Sequence, residues 1–136
     1  MTSSTCRSET FYIPLKLPGL NEYTRANRSN AYQGAEMKRE AEDDISVYIR
    51  KAMQEGKIHR HDTECFLYLN WYEKDKRRDG DNISFAIKFI QDALVSCGVF
   101  PDDSRKYIVG LCHYFHKAGD YGVEVRIEEM FRIEEM

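Results

Sequence analysis

Arg77-Arg78-Asp79-Gly80-Asp81-Asn82 and Gly98-Val99-Phe100-Pro101-Asp102-Asp103 hold the residues of this chain best suited to chemistry. Carboxylates at i and i+2 repel each other, so the pattern does little for stability. It suits Mg²⁺, with Mn²⁺ as the alternative ion. Mg²⁺ takes one or two carboxylates and keeps positions for water and phosphate oxygens. In extended backbone Asp79 and Asp81 point to the same side, and Gly80 lets another group approach closely. The competing use is local, because Asp81 and Asn82 are both good helix N-caps. A calcium EF-hand is excluded: Ile83 occupies a loop position that needs a ligand. Phosphodiester chemistry is the expectation.

Cations and amides flank this seat. Lys74, Lys76, Arg77 and Arg78 precede it, and as phosphate contacts they would position DNA without reading its sequence. Asn21, Tyr23, Arg25, Arg28 and Tyr32 form a polar stretch able to grip a backbone or stack on an unpaired base. His59, His61 and Cys65, with Cys112, His113 and His116, match no structural zinc spacing, so core or surface roles are expected. Trp71 reads as a core anchor.

The elements that must position these groups follow from periodicity. Thr10 to Leu17 is a β-prone run ended by Pro18-Gly19. Leu20 to Gly34 has no apolar period and reads as a loop. Ala35 to Glu55 repeats apolar residues at helical spacing and stops at Gly56. Glu64 to Glu73 is apolar on both faces, as a central strand would be. Ile83 to Cys97 reads as one helix, capped near Asp81 and stopped by Gly98. Lys106 to Phe115 and Tyr121 to Met130 are expected to pair, and Val123, Val125 and Ile127 alternate with charged residues. The order is β-α-β-α-β-β, a mixed α/β (α+β) fold. Arg126 to Met130 recurs as Arg132 to Met136, a terminal duplication rather than a solenoid.

At 136 residues the chain accommodates one domain, 1–136, with 1–9 and 131–136 expected to be flexible ends. Its 42% hydrophobic and 32% charged content is ordinary for a globular protein. No apolar run approaches the ~20 residues of a membrane span, and the start lacks a secretory core, so a cytoplasmic protein is expected. Cys6, Cys65, Cys97 and Cys112 are then reduced thiols. The net charge of −3 argues against a nucleic-acid binder, but the tail gathers Glu124, Glu128, Glu129, Glu134 and Glu135 while cations cluster elsewhere. The sum conceals a basic face.

The ordered set Arg77-Arg78-Asp79-x-Asp81-Asn82, then Gln91-Asp92-Ala93-Leu94, then Gly98-Val99-x-x-Asp102-Asp103 resembles the RusA family of Holliday junction resolvases, nearest its phage and prophage branch. Pro18-Gly19-Leu20-Asn21-Glu22-Tyr23-Thr24-Arg25, with Arg28-Ser29-Asn30 and Tyr32, is a second matching block. The resemblance implies a RusA-like two-fold dimer that hydrolyses four-way DNA junctions, with Asp79, Asp81 and Asp103 as catalytic metal ligands. It implies Lys88 as the catalytic lysine. The family places that lysine one turn after the second aspartate, where this chain has Phe85, so the helix reads as lengthened by nearly one turn. Lys88 could instead pair with Asp92 at i,i+4. Asn21, Arg25, Arg28, Lys76, Arg77 and Arg78 are the expected DNA contacts. Rival readings are a flap-type nuclease, a junction-binding module that has lost cleavage, and a small-molecule phosphohydrolase.

Geometry adds an expectation about assembly. A helix from Ile83 to Cys97 at ~1.5 Å per residue would hold Asp81 and Asp103 roughly 20 Å apart. Phe85 and Phe89 widen its apolar arc beyond what one surface-helix face requires. Both points favour a homodimer in which Asp103 of one chain completes the Asp79–Asp81 site of the other.

Overall fold

The computed structural model describes residues 7–130. Its elements run β1 (Ser8–Ile13), α1 (Leu20–Ser29), α2 (Ala31–Gln54), β2 (Cys65–Glu73), α3 (Gly80–Ser84), α4 (Ile87–Ser96), β3 (Ile108–Lys117) and β4 (Gly122–Glu129). The mixed α/β class holds, whereas the element order gains two helices. The repeat at 132–136, the expected flexible end 131–136 and Cys6 lie outside the described residues. The expected flexible start is corrected in part, because Ser8 and Glu9 already belong to β1.

The four strands form one sheet in the order β1-β4-β2-β3. β2 lies centrally, antiparallel to β4 and parallel to β3. The expected β3–β4 pair is therefore corrected: the chain leaves β3, passes over the end of β2 and returns on its other side. Inward alternation brings Phe11 and Ile13, Leu67, Leu69 and Trp71, and Val123, Val125 and Ile127 onto one face. That face packs under Ile45 and Ile49 of α2 and Phe89, Ile90 and Leu94 of α4, all fully buried. Each such side chain contributes roughly 1.5–3 kcal/mol. Trp71 is the expected core anchor, with its indole N–H donating to His113 Nδ1 at 2.9 Å.

Leu20 to Gly34 is not a loop. α1 has too few apolar residues to show a helical period, and tertiary contacts supply what its sequence lacks. Ala26 is its one buried residue. Gly34 lets α2 cross α1 closely, since a Cβ there would collide with Asn27. Asn30 separates the helices, and its side chain accepts the Gln33 N–H at 2.8 Å to start α2 four residues earlier than expected.

The single helix from Ile83 to Cys97 is also corrected. It breaks at Phe85-Ala86, where the N–H groups of Ala86, Lys88 and Phe89 each bond a carbonyl three residues back. The tighter turn swings Phe85 and Phe89 onto Tyr23 of α1, with ring centroids 5.3 and 5.8 Å away. The two phenylalanines thus find partners inside the chain. The wide apolar arc no longer argues for a dimer.

Candidate acidic site and its cationic flank

β2 ends at Glu73, which is buried and bound to Arg78 in a two-pronged ion pair. Arg78 Nε lies 2.8 Å from Glu73 Oε1 and Nη2 lies 2.6 Å from Oε2. The third donor, Nη1, reaches the Leu17 carbonyl at 3.0 Å, so Arg78 ties the loop after β2 to the segment leaving β1. Burial works against the charged guanidinium, but the bonds and charge of Glu73 outweigh it and hold Arg78 firmly protonated. Arg78, expected at the DNA surface, is committed to the scaffold. Lys76 and Arg77 stand exposed beside it, Arg77 only loosely paired with Asp75 at 3.8 Å.

Beyond this clamp Asp79 is extended (φ −72°, ψ 159°) and heads α3, yet its side chain caps nothing. Asp79 and Asp81 are both exposed, and among the described residues neither has a cationic partner. Asp81 accepts only the neighbouring Asn82 N–H, at 3.0 Å. The helix-capping use of these carboxylates is thus not realised by their side chains. Gly80 lies under the ring of Phe115, where a Cβ would come within 3.1 Å.

Asn82 caps a different helix. Its Oδ1 accepts the Asn21 N–H at 3.0 Å, satisfying one of the free donors at the start of α1. α1 is thereby pinned beside α3. Asn21, Thr24, Arg25 and Arg28 fall on one helical face and line an open cleft. Arg25 and Arg28 have no ion-pair partner among the described residues and extend into solvent.

Asp103 is not brought to this place. It precedes β3, where the N–H groups of Tyr107 and Ile108 bond the Ser104 carbonyl, beside the Cys65 end of β2. Asp79 follows the opposite end of the same strand. β2, whose 9 residues at ~3.3 Å each span roughly 26 Å, lies between the two. Accordingly no group of three or more ligand side chains able to hold a metal occurs among the described residues. Asp102 accepts the Ser104 N–H at 2.7 Å, and hydrogen bonding from the Ser104 side chain and then its backbone holds the carboxyl below the usual range, which assigns it to this turn. Lys88 is exposed on α4 and unpaired among the described residues. Asp92, its proposed partner, pairs with Lys38 at 3.6 Å instead.

A second polar cluster was not foreseen. His61 is buried between two carboxylates, Nε2 at 2.6 Å from Glu9 and Nδ1 at 2.8 Å from Glu129. His59 Nδ1 also meets Glu9, at 2.6 Å. Burial pushes the Glu9 carboxyl up, but hydrogen bonds from His59 and His61 outweigh it and leave it lowered. Cys65 lies nearby, its thiol pushed up to about 12 by burial and by Glu129 and Glu9, so it stays protonated. The signal was present in the sequence: Glu9 and Glu129 occupy inward positions of the two-residue alternation in β1 and β4.

No protein family matches the chain, and no curated protein is significantly similar to it. The resemblance to RusA resolvases rests on the motif blocks alone.

The two arginines before Asp79 should therefore behave differently. Arg78→Ala leaves Glu73 buried without its partner and is expected to cost about 3–5 kcal/mol of stability in urea denaturation. Arg77→Ala should leave stability within ~0.5 kcal/mol and reduce the log–log salt slope of DNA binding by about one. Equal stability losses in the two variants would contradict this division.

Proposed function

We propose that the protein is a Mg²⁺-dependent endonuclease that nicks branched DNA, four-way junctions foremost, as a two-fold dimer of RusA type. The observation that carries this reading is the Asn82–Asn21 hydrogen bond. It holds the helix that carries Asn21, Arg25 and Arg28 against α3, where Asp79 and Asp81 are exposed and have no ion-pair partner among the described residues. Neither the acids nor Arg25 and Arg28 are engaged by other charges among the described residues, which suits a ligand carrying metal and phosphate together. Two neighbouring carboxylates fit Mg²⁺, which takes one or two from protein and completes its shell with water and phosphate. Bound there, Mg²⁺ would supply an activated water and offset the charge developing on the scissile phosphate.

The residues of the chain account for the rest. Arg25 and Arg28 grip phosphate oxygens, Asn21 donates beside them, and Lys76 and Arg77 hold the strand beyond. Lys88 is free to meet developing phosphate charge. Asp103, remote from Asp79 and Asp81 in its own chain, serves the partner's site. Such a dimer suits a substrate with two-fold symmetry that needs paired cuts.

Incubating the purified protein with synthetic four-way junction, flap and linear duplex, with Mg²⁺ or with chelator, tests the reading. Mg²⁺-dependent nicks in the branched substrates but not the linear duplex are expected. Tight junction binding without nicks would identify a binding module, and cleavage of flap alone a flap nuclease.

A further inference from the structure

We propose that the sheet face turned away from the helices is a stacking platform for an unpaired DNA strand. The proposal rests on the nuclease reading and deepens it, adding a single-stranded arm to the substrate. The outward positions of all four strands hold aromatic and polar residues, with no Leu, Ile or Val among them.

At one end of this face a row of rings crosses the whole sheet. Tyr12 of β1 passes its hydroxyl over Gly122 of β4, where any Cβ would collide with it. Tyr72 of β2 follows, 6.4 Å from Tyr12 between centroids, and stacks on His116 of β3 at 5.1 Å and 25°. Tyr12 is 47% exposed, and Tyr114, on the same face of β3, 52%. Three strand spacings of ~4.8 Å give the row about 14 Å, room for two or three stacked bases.

The surrounding charges suit a polyanion. Lys16 lies 4.7 Å from the Tyr121 ring centre at this end of the sheet. Among the described residues Lys16, Lys76 and Lys117 have no carboxylate partner. The acids of the face are engaged: Glu124 accepts from Asn70 at 3.1 Å, and Glu128 lies 3.6 Å from Arg126. A cleft lined by Lys76, Phe115, His116 and Lys117, together with Asp75 and the mutually paired Glu73 and Arg78, then leads from the row to the loop before Asp79. A strand stacked on the rings can follow Lys76 and Lys117 over the β3 edge to the acidic site.

The test is fluorescence anisotropy of the full chain with a short labelled oligothymidylate, against duplex of equal length, in chelator. Measured without metal, it reads binding whether or not the Asp79–Asp81 site cleaves DNA. Wild type should bind the single strand more tightly than the duplex. Tyr72→Ala and His116→Ala should each weaken that binding by about tenfold, the order of one lost base–ring stack, while Tyr72→Phe retains it. If Tyr72→Ala fails to fold, His116→Ala and Tyr114→Ala on the edge strand carry the comparison. Unchanged oligothymidylate affinity in folded variants overturns the platform. A loss of dimer in those variants without loss of strand binding overturns it too, assigning the face to a second copy. Intact strand binding with no nicking of any substrate leaves the platform standing and removes the nuclease reading.

Discussion

Asp79→Asn, Asp81→Asn and Asp103→Asn should each reduce junction nicking by at least about 10³-fold, because metal-assisted charge stabilisation is worth several kcal/mol. Junction binding should survive, since it would rest on Arg25, Arg28, Lys76 and Arg77. Stability should hardly change: Asp79 and Asp81 are exposed and lack ion-pair partners among the described residues, and Asp81 bonds only its neighbour's N–H. The decisive version mixes chains. An Asp79→Asn/Asp81→Asn chain combined with an Asp103→Asn chain forms heterodimers with one wholly intact centre, which should nick the junction once. The motive is the length of β2 between Asp103 and the other two carboxylates. Inactivity in verified heterodimers would show that Asp103 does not complete a shared site. Unfolding of the single variants would return the aspartates to a structural role.

His61→Ala should produce a stability loss as large as that of Arg78→Ala, about 3–5 kcal/mol, because it leaves Glu129 poorly solvated without its partner and beside Glu9, which keeps only His59 and Arg7. That is a large share of the ~5–15 kcal/mol that typically separates folded from unfolded chains. The backbone N–H of His61, which the substitution keeps, bonds the Val99 carbonyl at 2.8 Å, and the ring stacks on Phe100 with centroids 5.9 Å apart. Its loss therefore loosens the segment that carries Asp103. Urea denaturation followed by the fluorescence of buried Trp71 reads the effect, and a loss under about 1 kcal/mol would mean that the carboxylates relax into water. The pH dependence has a defined sign. Glu9 has an ordinary value of 4.5 and is lowered in the fold, so its contribution is present above 4.5 and fades as pH falls through the lowered value. Glu9→Gln should flatten that acid limb.

The central strand, the one-sided alternation of β4, the long second helix and the place of Trp71 were legible in the sequence because each rests on local periodicity. So were the acidic motif and its cationic neighbours, since residue type and spacing set what chemistry they can do. α1 was not legible: a helix with one buried residue carries little period, and its start is satisfied by Asn82, sixty-one positions away. The strand order was not legible, because adjacency in sequence favours a β3–β4 hairpin, whereas the central β2 takes β4 on one edge and β3 on the other. Arg77 and Arg78 are indistinguishable as letters, and only the position of Glu73 at the end of β2 makes one a buried clamp and the other a free cation. The sequence by itself determined which residues carry the charges and oxygen atoms suited to metal and phosphate. Tertiary structure alone decided which of them share a surface, because hydrogen bonds and burial between distant segments select among identical side chains by where the backbone places them.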